Sequence, residues 1–195
     1  MCQYSFQRFI PASAVVMDIG SGYCEFINAI RAKKKYAVDI NPDTVKFAGR
    51  EVIVIAKNAL SIPKHLNGTI DRVFLSNFLE HLNTKEEVMD VFGRVYALLR
   101  SGGKLLILQP NIDLVKERYW DFFDHKVILN GKSLREGLVI AGFSVETWIE
   151  RFLPYTTKSA LPQGAFITRL YLSIPPAFRP FAGQSFVVAG KPEKR

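Results

Sequence analysis

Glycines and aspartates at the ends of two apolar runs have a spacing that can hold a nucleoside. Asp18-Ile19-Gly20-Ser21-Gly22 closes the first run, and Asp39 closes the second, 19 residues beyond Gly20. A strand-to-helix turn of this kind presents backbone N–H groups and lets a ligand approach the glycine backbone closely. A carboxylate at the end of the next strand can accept hydrogen bonds from both ribose hydroxyls. The alternative for Asp39 is a helix cap, but Asn41 is better placed for that role.

The residue types of this turn discriminate between two nucleoside cofactors. The dinucleotide fingerprint G-x-G-x-x-G requires a glycine at position 25, where this sequence has Glu25. A pyrophosphate would be repelled by that carboxylate, whereas S-adenosylmethionine carries an ammonium and a sulfonium that tolerate nearby acids. The pattern therefore favours S-adenosylmethionine over a dinucleotide.

Short apolar runs alternate with helical patterns along the chain. This alternation predicts a parallel sheet with helices on both faces. The clearest helix runs from about Thr84 to Leu99, with capping-box spacing between Thr84 and Glu87. Asn41-Pro42 predicts a second, short helix. The runs that predict strands are 14–18, 36–39, 52–55, 73–75, 105–108, 143–149 and 185–189.

Size and composition fit one domain, predicted over residues 1–195. No apolar run approaches the ~20 residues that a membrane-spanning helix requires, no secretory signal is visible, and two cysteines form no disulfide framework. These features predict a cytoplasmic location. The net charge is +8, and residues 151–195 hold seven basic residues against Glu193 alone. This asymmetry suits an anionic partner, although a solvated basic tail explains the last residues equally well.

A proline-rich stretch, residues 152–183, is predicted to be an insertion between the last two strands. We expect it to shape the acceptor pocket. Because residues 151–183 mix aromatic and basic residues and contain no acid, peripheral contact with an anionic membrane surface is a second expectation. Simple packing of these aromatics against the sheet is the competing interpretation.

Four segments in order, 15–23, 37–41, 75–82 and 99–107, resemble successive motifs of class I S-adenosylmethionine-dependent methyltransferases. The resemblance covers about residues 12–150 and returns at 186–191. It implies an α/β fold with a Rossmann-like, seven-stranded, mostly parallel sheet, in which the seventh strand lies antiparallel beside the sixth. It also implies methyl transfer from S-adenosylmethionine.

The family resemblance also implies which residues hold the cofactor. The turn after the first strand would hold the methionine portion of the cofactor. The ends of the second and third strands would hold the ribose and the adenine. Cys24 replaces a common third glycine, and Asn58 replaces a commoner Asp. Only about 13 residues precede the first strand, so a cover over the cofactor is short or absent. The implied cofactor-binding residues are Asp18, Gly20, Ser21, Gly22, Tyr23, Asp39, Ile40, Asn58, Ala59, Asn77 and Phe78.

His81 is the best candidate for a catalytic general base. It follows the fourth strand, where the acceptor meets the methyl group in this family. Placement supplies much of the rate of an in-line methyl transfer, and a base is needed only for a poor nucleophile such as an alcohol. The competing interpretation is that Glu80 and His81 cap the helix at Thr84 and face solvent.

A second cluster, residues 119–125, follows the fifth strand and is a candidate acceptor-binding segment. Aromatic residues there are equally often loop anchors. A finer resemblance through 109–111, 119–125 and 151–158 points to a bacterial subgroup associated with glycan assembly. The predicted acceptor-binding residues are Tyr119, Trp120, His125, Tyr155 and Lys158. With three histidines and no paired Cys or His spacing, no metal site is predicted.

The leading functional hypothesis is methylation of a hydroxyl on a sugar, a glycan or a similar small molecule. An RNA or protein methyltransferase that uses the basic carboxyl end is the second hypothesis, and a non-catalytic cofactor-binding module is the third. Nucleic acid is disfavoured because no basic stripe with interleaved aromatics runs along one element. The sequence predicts no particular oligomeric state.

Overall fold

The computed structural model describes Cys2, residues 4–155 and residues 165–193. Seven strands form one sheet in the order β3-β2-β1-β4-β5-β7-β6. β7 lies antiparallel between β5 and β6, and the pairings among β1 to β5 are parallel. This confirms the predicted fold class. The strands are β1 (Val15–Ile19), β2 (Lys34–Asp39), β3 (Val52–Ala56), β4 (Ile70–Ser76), β5 (Leu99–Pro110), β6 (Ser144–Pro154) and β7 (Ala182–Gly190).

Helices and single helical turns connect the strands. The α-helices are α1 (Glu25–Ala29), α2 (Lys85–Leu98), α3 (Ile112–Val115), α4 (Gly131–Ile140) and α5 (Ala165–Ser173). Short 3-10 helices occupy Phe6–Phe9, Pro42–Lys46, Ala59–Ser61, Lys64–Leu66, Leu79–His81, Lys116–Asp121 and Pro176–Phe178.

The start of α2 has one half of the predicted capping box. Thr84 Oγ1 accepts from the Glu87 N–H over 3.2 Å, which satisfies a backbone donor that the first turn of a helix leaves free. Glu87 Oε2 accepts over 2.7 Å from the N–H of Asn83, the residue before the N-cap Thr84, whereas a capping box requires the Thr84 N–H. The apolar stripe of α2 is buried, at Val88, Val91, Phe92, Val95 and Leu98.

The two faces of the sheet carry separate apolar cores. Side chains alternate along a strand, so in β5 Leu105 and Ile107 join one core whereas Leu106 and Leu108 join the other. The first core packs beneath α2 and α4. The second packs beneath α1 and the turn Phe6–Phe9, where the Phe6 ring contacts the rings of Phe26, Phe74, Phe152 and Phe186. The segment before β1 is therefore an anchored part of the core.

The predicted insertion, 152–183, is too wide at both ends. β6 continues to Pro154 and β7 begins at Ala182, because Leu153 pairs with Gln184 and Pro154 with Ala182. The connection carries α5 and the turn Pro176–Phe178. Within the described residues, no helix is both long and apolar enough to cross a bilayer.

Two of the arginines expected to face an anionic surface are instead used inside the fold. Arg179 is only 6% exposed, and its guanidinium donates to the backbone oxygens of Ile174, Arg151 and Leu172 over 2.9–3.1 Å. Arg151 in turn donates to the Arg179 carbonyl over 3.0 Å. These bonds fasten the connection to β6, so the expected surface role of Arg179 is wrong.

Candidate functional site

A cavity of about 360 Å³ opens at the carboxyl edge of β1 to β4. Parallel pairing brings these strand ends level, since Ile19 pairs with both Val38 and Leu75. The chain leaves β1 toward β2 and later returns to β4 on the other side of β1, which is the switch point where α/β sheets bind ligands. Eight predicted site residues line this Asp39 cavity: Gly20, Asp39, Ile40, Asn58, Ala59, Asn77, Phe78 and His81.

The turn after β1 is held by the end of β2. The N–H groups of Gly20 and Ser21 both donate to the Val38 carbonyl, over 2.9 and 3.2 Å, and Ser21 Oγ donates to the same oxygen over 3.1 Å. Gly22 has a φ of 48° and Cys24 a φ of 58°. The left-handed backbone at Cys24 explains why a glycine is commoner there, since glycine adopts it without a steric penalty.

A side chain at Gly20 would collide with the Phe78 ring unless that ring moved. The φ of Gly20 is 73°, and a Cβ atom there would lie 2.5 Å from the Phe78 ring. Phe78 therefore lies directly against the glycine backbone, between the ends of β1 and β4. This contact fixes the floor of the Asp39 cavity.

The carboxylate of Asp39 already accepts two backbone hydrogen bonds. Oδ2 accepts from the Gly22 N–H over 2.8 Å and Oδ1 from the Asn41 N–H over 2.9 Å. A carboxylate has about four acceptor positions, so two remain for ligand hydroxyls. Asn41 caps the turn Pro42–Lys46, as predicted, by accepting from the Asp43 N–H over 2.9 Å.

Asn58 stands at the far end of the Asp39 cavity, after β3. Its Oδ1 accepts from the Leu60 N–H over 2.8 Å and so caps the turn Ala59–Ser61. The second lone pair of Oδ1 and the amide N–H groups are the polar groups that Asn58 can offer a ligand.

A second cavity, also of about 360 Å³, lies on the other side of Gly20. We call it the Asp18 cavity, and Ser21, Tyr23 and Glu25 also line it. Burial, followed by the charge of Asp39, raises the pKa of Asp18 to about 8. Tyr23 is largely exposed and sets its ring edge-on against Phe47. The cavity thus combines an aromatic rim with two carboxyl groups.

Glu80 is buried next to His81, which lines the Asp39 cavity. Only 1% of the residue is exposed, and its Oε2 finds no hydrogen-bond partner among the described residues. Desolvation raises the pKa of Glu80 to about 7. Its carbonyl accepts from the N–H groups of Lys126 and Val127 over 2.8 and 3.2 Å, which ties the segment that follows Asp124 to Glu80. The expectation that Glu80 caps α2 and faces solvent is therefore wrong.

His81 borders the Asp39 cavity with its ring partly exposed. Its Nδ1 lies 3.2 Å from Asp124 Oδ2 and 3.4 Å from the Asp124 carbonyl oxygen, whereas the side-chain cap of α2 comes from Thr84. Because both of these Asp124 oxygens only accept, the contacts place the proton on Nδ1 and leave Nε2 as an acceptor. The arrangement suits proton abstraction from a bound hydroxyl.

His125 and Tyr155 are both buried beside this site, as parts of one aromatic cluster. His125 Nδ1 lies 3.0 Å from the Tyr119 carbonyl and 3.5 Å from the Tyr155 hydroxyl, and the ring stacks on Phe122. The rings of His81 and His125 meet edge to face, with centroids 5.2 Å apart.

The other predicted acceptor-binding residues differ in their exposure to the site. Tyr119 is fully buried and donates its hydroxyl to the Val127 carbonyl, so it anchors the loop, and the predicted acceptor contact is wrong. Trp120 packs edge-on against Tyr119 and is 55% exposed, which leaves it available to an acceptor. Lys158 lies outside the described residues.

Comparison with known families gives the class of enzyme. Residues 17–107, which include most of β1, all of β2 to β4 and most of both cavities, match the family described as "Methyltransferase domain". This segment, just under half of the chain, is similar to methyltransferases. This match confirms the class predicted from the turn after β1 and the motifs that follow it. No curated protein sequence matches the chain.

Solved structures agree with the fold of the methyltransferase. A SAM-dependent methyltransferase from Archaeoglobus fulgidus is 20% identical, with a TM-score of 0.66 over 95% of this chain and 90% of that one. An S-adenosylmethionine-dependent methyltransferase from Mesorhizobium loti is 15% identical, with a TM-score of 0.69 over 97% and 98%. A possible histamine N-methyltransferase from Thermotoga maritima is 16% identical, with a TM-score of 0.68 over 94% and 84%. Their cofactor agrees with the predicted one.

Two glutamines near the methyltransferase site were not predicted as site residues. Gln184 on β7 donates to Asn77 Oδ1 over 2.8 Å and holds it at a φ of 46°. The buried Gln109 amide acts on the Glu80 carboxyl and offsets part of the rise in its pKa, although neither amide atom completes a hydrogen bond of normal geometry among the residues described. Gln109 is the next-to-last residue of β5, and a polar residue at the end of a buried strand is the signal that could have identified it.

Proposed function

We propose that this methyltransferase transfers a methyl group from S-adenosylmethionine to a hydroxyl of a sugar, a glycan or a similar small molecule. Asp39 and Asn58 would hold the ribose and adenine in the Asp39 cavity. Asp18 and Glu25 would face the cationic methionine portion in the Asp18 cavity. The cofactor supplies an electrophilic methyl group when bound, and Gly20, which lines both cavities, lets it pass from one to the other.

The observation that carries the hydroxyl assignment is the His81–Asp124 pair at the edge of the Asp39 cavity. An alcohol is a poor nucleophile, so it gains most from a base that is oriented by a carboxylate. An amine or a thiolate would attack the methyl group without that help. The glycan class follows from the finer sequence resemblance through 109–111 and 119–125.

A product screen tests this proposal. The purified protein is incubated with methyl-labelled S-adenosylmethionine and with separate pools of glycans, lipid-linked sugars, RNA and biogenic amines. We expect a methyl ether on a sugar hydroxyl, and less label at the same cofactor concentration when Asp39→Ala replaces the wild type. Methylation of RNA or of an amine alone would contradict the proposed acceptor.

The role of His81 is tested by its replacement with alanine. For a hydroxyl acceptor, we expect His81→Ala to lower turnover by ~10²–10⁴ while S-adenosylmethionine affinity stays unchanged. His65→Ala is the matched control, because His65 is exposed and lines neither cavity. Equal activity of both variants would remove His81 from the reaction.

We also propose that the exposed face of α5 and the turn after it contacts an anionic membrane. Phe166, Leu170, Phe178 and Phe181 are each at least 60% exposed, and residues 165–181 contain no acid. Arg169 supplies a cation at this face, where its guanidinium lies over the Tyr4 ring. Apolar side chains can insert at an interface while cations face the headgroups, each worth about 1 kcal/mol.

Sedimentation with vesicles tests the membrane contact. We expect binding to phosphatidylserine vesicles at low salt and loss of binding for Phe166→Ser with Leu170→Ser. The matched control is Val139→Ser with Ile140→Ser, which removes comparably exposed apolar side chains from α4. Absence of wild-type binding, or equal loss in the control, would contradict the contact.

A further inference from the structure

Glu80, His81 and His125 bring three potential metal ligands together at the acceptor side of the site. One ligand atom from each residue lies within 4.8 Å of the other two. Nitrogen and oxygen ligands at about 2.1 Å from one ion lie roughly 3–3.5 Å apart, so a modest inward movement closes the set. His81, whose ring is partly exposed, is the ligand most free to make that movement.

Both imidazoles have the second contact that metal-binding histidines usually make. Such a histidine donates its second ring N–H to a carboxylate or a backbone carbonyl. His81 Nδ1 lies 3.2 Å from Asp124 Oδ2 and 3.4 Å from the Asp124 carbonyl oxygen, and His125 Nδ1 lies 3.0 Å from the Tyr119 carbonyl oxygen. In each ring Nδ1 therefore carries the proton, and the lone pair of Nε2 is available to an ion.

The buried carboxyl supplies the independent second observation. Glu80 is 1% exposed, and its Oε2 has no hydrogen-bond partner within the described ranges. A buried polar atom without a hydrogen-bond partner destabilises the fold, unless a group such as a water or an ion satisfies it. A cation bound beside the two imidazole nitrogens would satisfy Glu80 Oε2.

We propose that Glu80, His81 and His125 bind a divalent transition-metal ion at the acceptor side of the cofactor site. Two imidazoles and one carboxylate form a ligand set that suits zinc, manganese, cobalt or iron and leaves coordination positions open. Magnesium, which prefers oxygen ligands, fits this set less well. The sequence analysis predicted no metal site, because 43 residues lie between His81 and His125 and no paired spacing marks them.

The open positions give the ion a role that rests on the proposed function. A hydroxyl of the acceptor would bind the ion, its pKa would fall, and its proton would leave to solvent. The new bond between this oxygen and the methyl carbon forms as the carbon–sulfur bond breaks, and the electron pair of that bond stays on sulfur. His81 would then serve as a ligand, and the ion would replace it in activating the hydroxyl.

Direct titration tests the site without any reference to activity. The full chain is stripped with a chelator, freed of it, and titrated with Zn²⁺ or Mn²⁺ in a calorimeter. We expect one ion per chain and at least 10-fold weaker binding for His81→Asn and for Glu80→Gln. Asp124→Asn, which changes an exposed side chain behind His81, should weaken binding by about 10–100-fold. His65→Asn is the matched histidine control and should bind as the wild type does.

The outcomes separate this proposal from the proposed function. Asp39→Ala should lose cofactor affinity but keep the ion, so failure at the cofactor site leaves the metal result intact. Absence of stoichiometric binding, or equal binding by wild type and all three site variants, would overturn the metal site. Once an acceptor is known, a chelator should abolish its methylation and Zn²⁺ or Mn²⁺ should restore it. Full activity in the chelator would overturn the role of the ion in the reaction.

Discussion

The carboxylate of Asp39 accepts a hydrogen bond from the backbone N–H of Gly22 over 2.8 Å. This bond joins the turn after β1 to the end of β2 without any ligand. A second bond, from the Asn41 N–H, fixes the other carboxylate oxygen. The acceptor that would meet the ribose is thus held in place before the cofactor arrives, which reduces the ordering that binding requires.

Replacing Asp39 with alanine removes the ribose acceptor and both backbone bonds. We expect Asp39→Ala to weaken S-adenosylmethionine binding by ~1.5–3 kcal/mol, the range for a lost charged hydrogen-bond partner. Calorimetry measures this change. Asp43→Ala is the control, because Asp43 is exposed and pairs only with Lys46 across a solvated bridge. Unchanged affinity in Asp39→Ala would remove this carboxylate from the site.

Gly20 and Gly68 form a matched pair for measuring the contact with Phe78. Both have a φ near 70°, but a Cβ at Gly20 meets Phe78, whereas a Cβ at Gly68 meets nothing within 4 Å. Gly68→Ala should therefore lose only the backbone term, about 1–2 kcal/mol. Gly20→Ala should lose about 1–3 kcal/mol more, from overpacking against Phe78. Denaturant unfolding measures both. Equal losses would show that Phe78 moves aside freely.

Because the carboxyl of Asp18 is buried, we expect the free energy of unfolding to fall as the pH rises. Burial, and then the charge of Asp39, raises its pKa from 3.8 to about 8. The folded protein holds this proton more tightly than the unfolded chain does. Asp18 therefore contributes stability that is fully present below about pH 4 and is lost as the pH rises through about 8, about 6 kcal/mol at most.

Asp18→Asn stays neutral and should remove most of that dependence. Unfolding free energies measured between about pH 4 and pH 8 check this, with Asp113→Asn, an exposed acid, as the control. A cationic cofactor beside Asp18 should also lower its pKa and release a proton at neutral pH. Calorimetry in two buffers of different ionisation enthalpy detects the release. Parallel pH profiles for wild type and Asp18→Asn would contradict the assignment.

We expect that replacing Arg179 strongly lowers the free energy of unfolding, although the sequence alone suggests that this residue is a surface cation. Its guanidinium satisfies three carbonyls within 3.1 Å, and its carbonyl accepts from Arg151. Arg179→Met should destabilise the fold by about 2–4 kcal/mol, because buried oxygens lose their partners. Arg169→Met, at an exposed cation over Tyr4, should change stability by less than about 1 kcal/mol. Equally small losses of stability in the two variants would contradict the anchoring role of Arg179.

The parallel sheet and the cofactor turn were predictable because their signals are local. Period-two burial and apolar runs mark the strands, and the spacing from Gly20 to Asp39 follows from one strand–helix–strand unit. Long-range contacts account for what was missed. Glu80 is buried because Lys126 and Val127 donate to its carbonyl, and Arg179 is buried because β6 extends to Pro154. Neither contact leaves a periodic trace in the sequence.

The place of β7 in the sheet has a consequence for how the chain folds during synthesis. All nine residues of β7 are buried, and the strand lies between β5 and β6, although both of these are made earlier. Until residues 182–190 leave the ribosome, the edges of β5 and β6 cannot be closed by their own partner. Such open edges are where nascent chains pair wrongly with one another, so the interval before β7 arrives is when this protein most needs a chaperone.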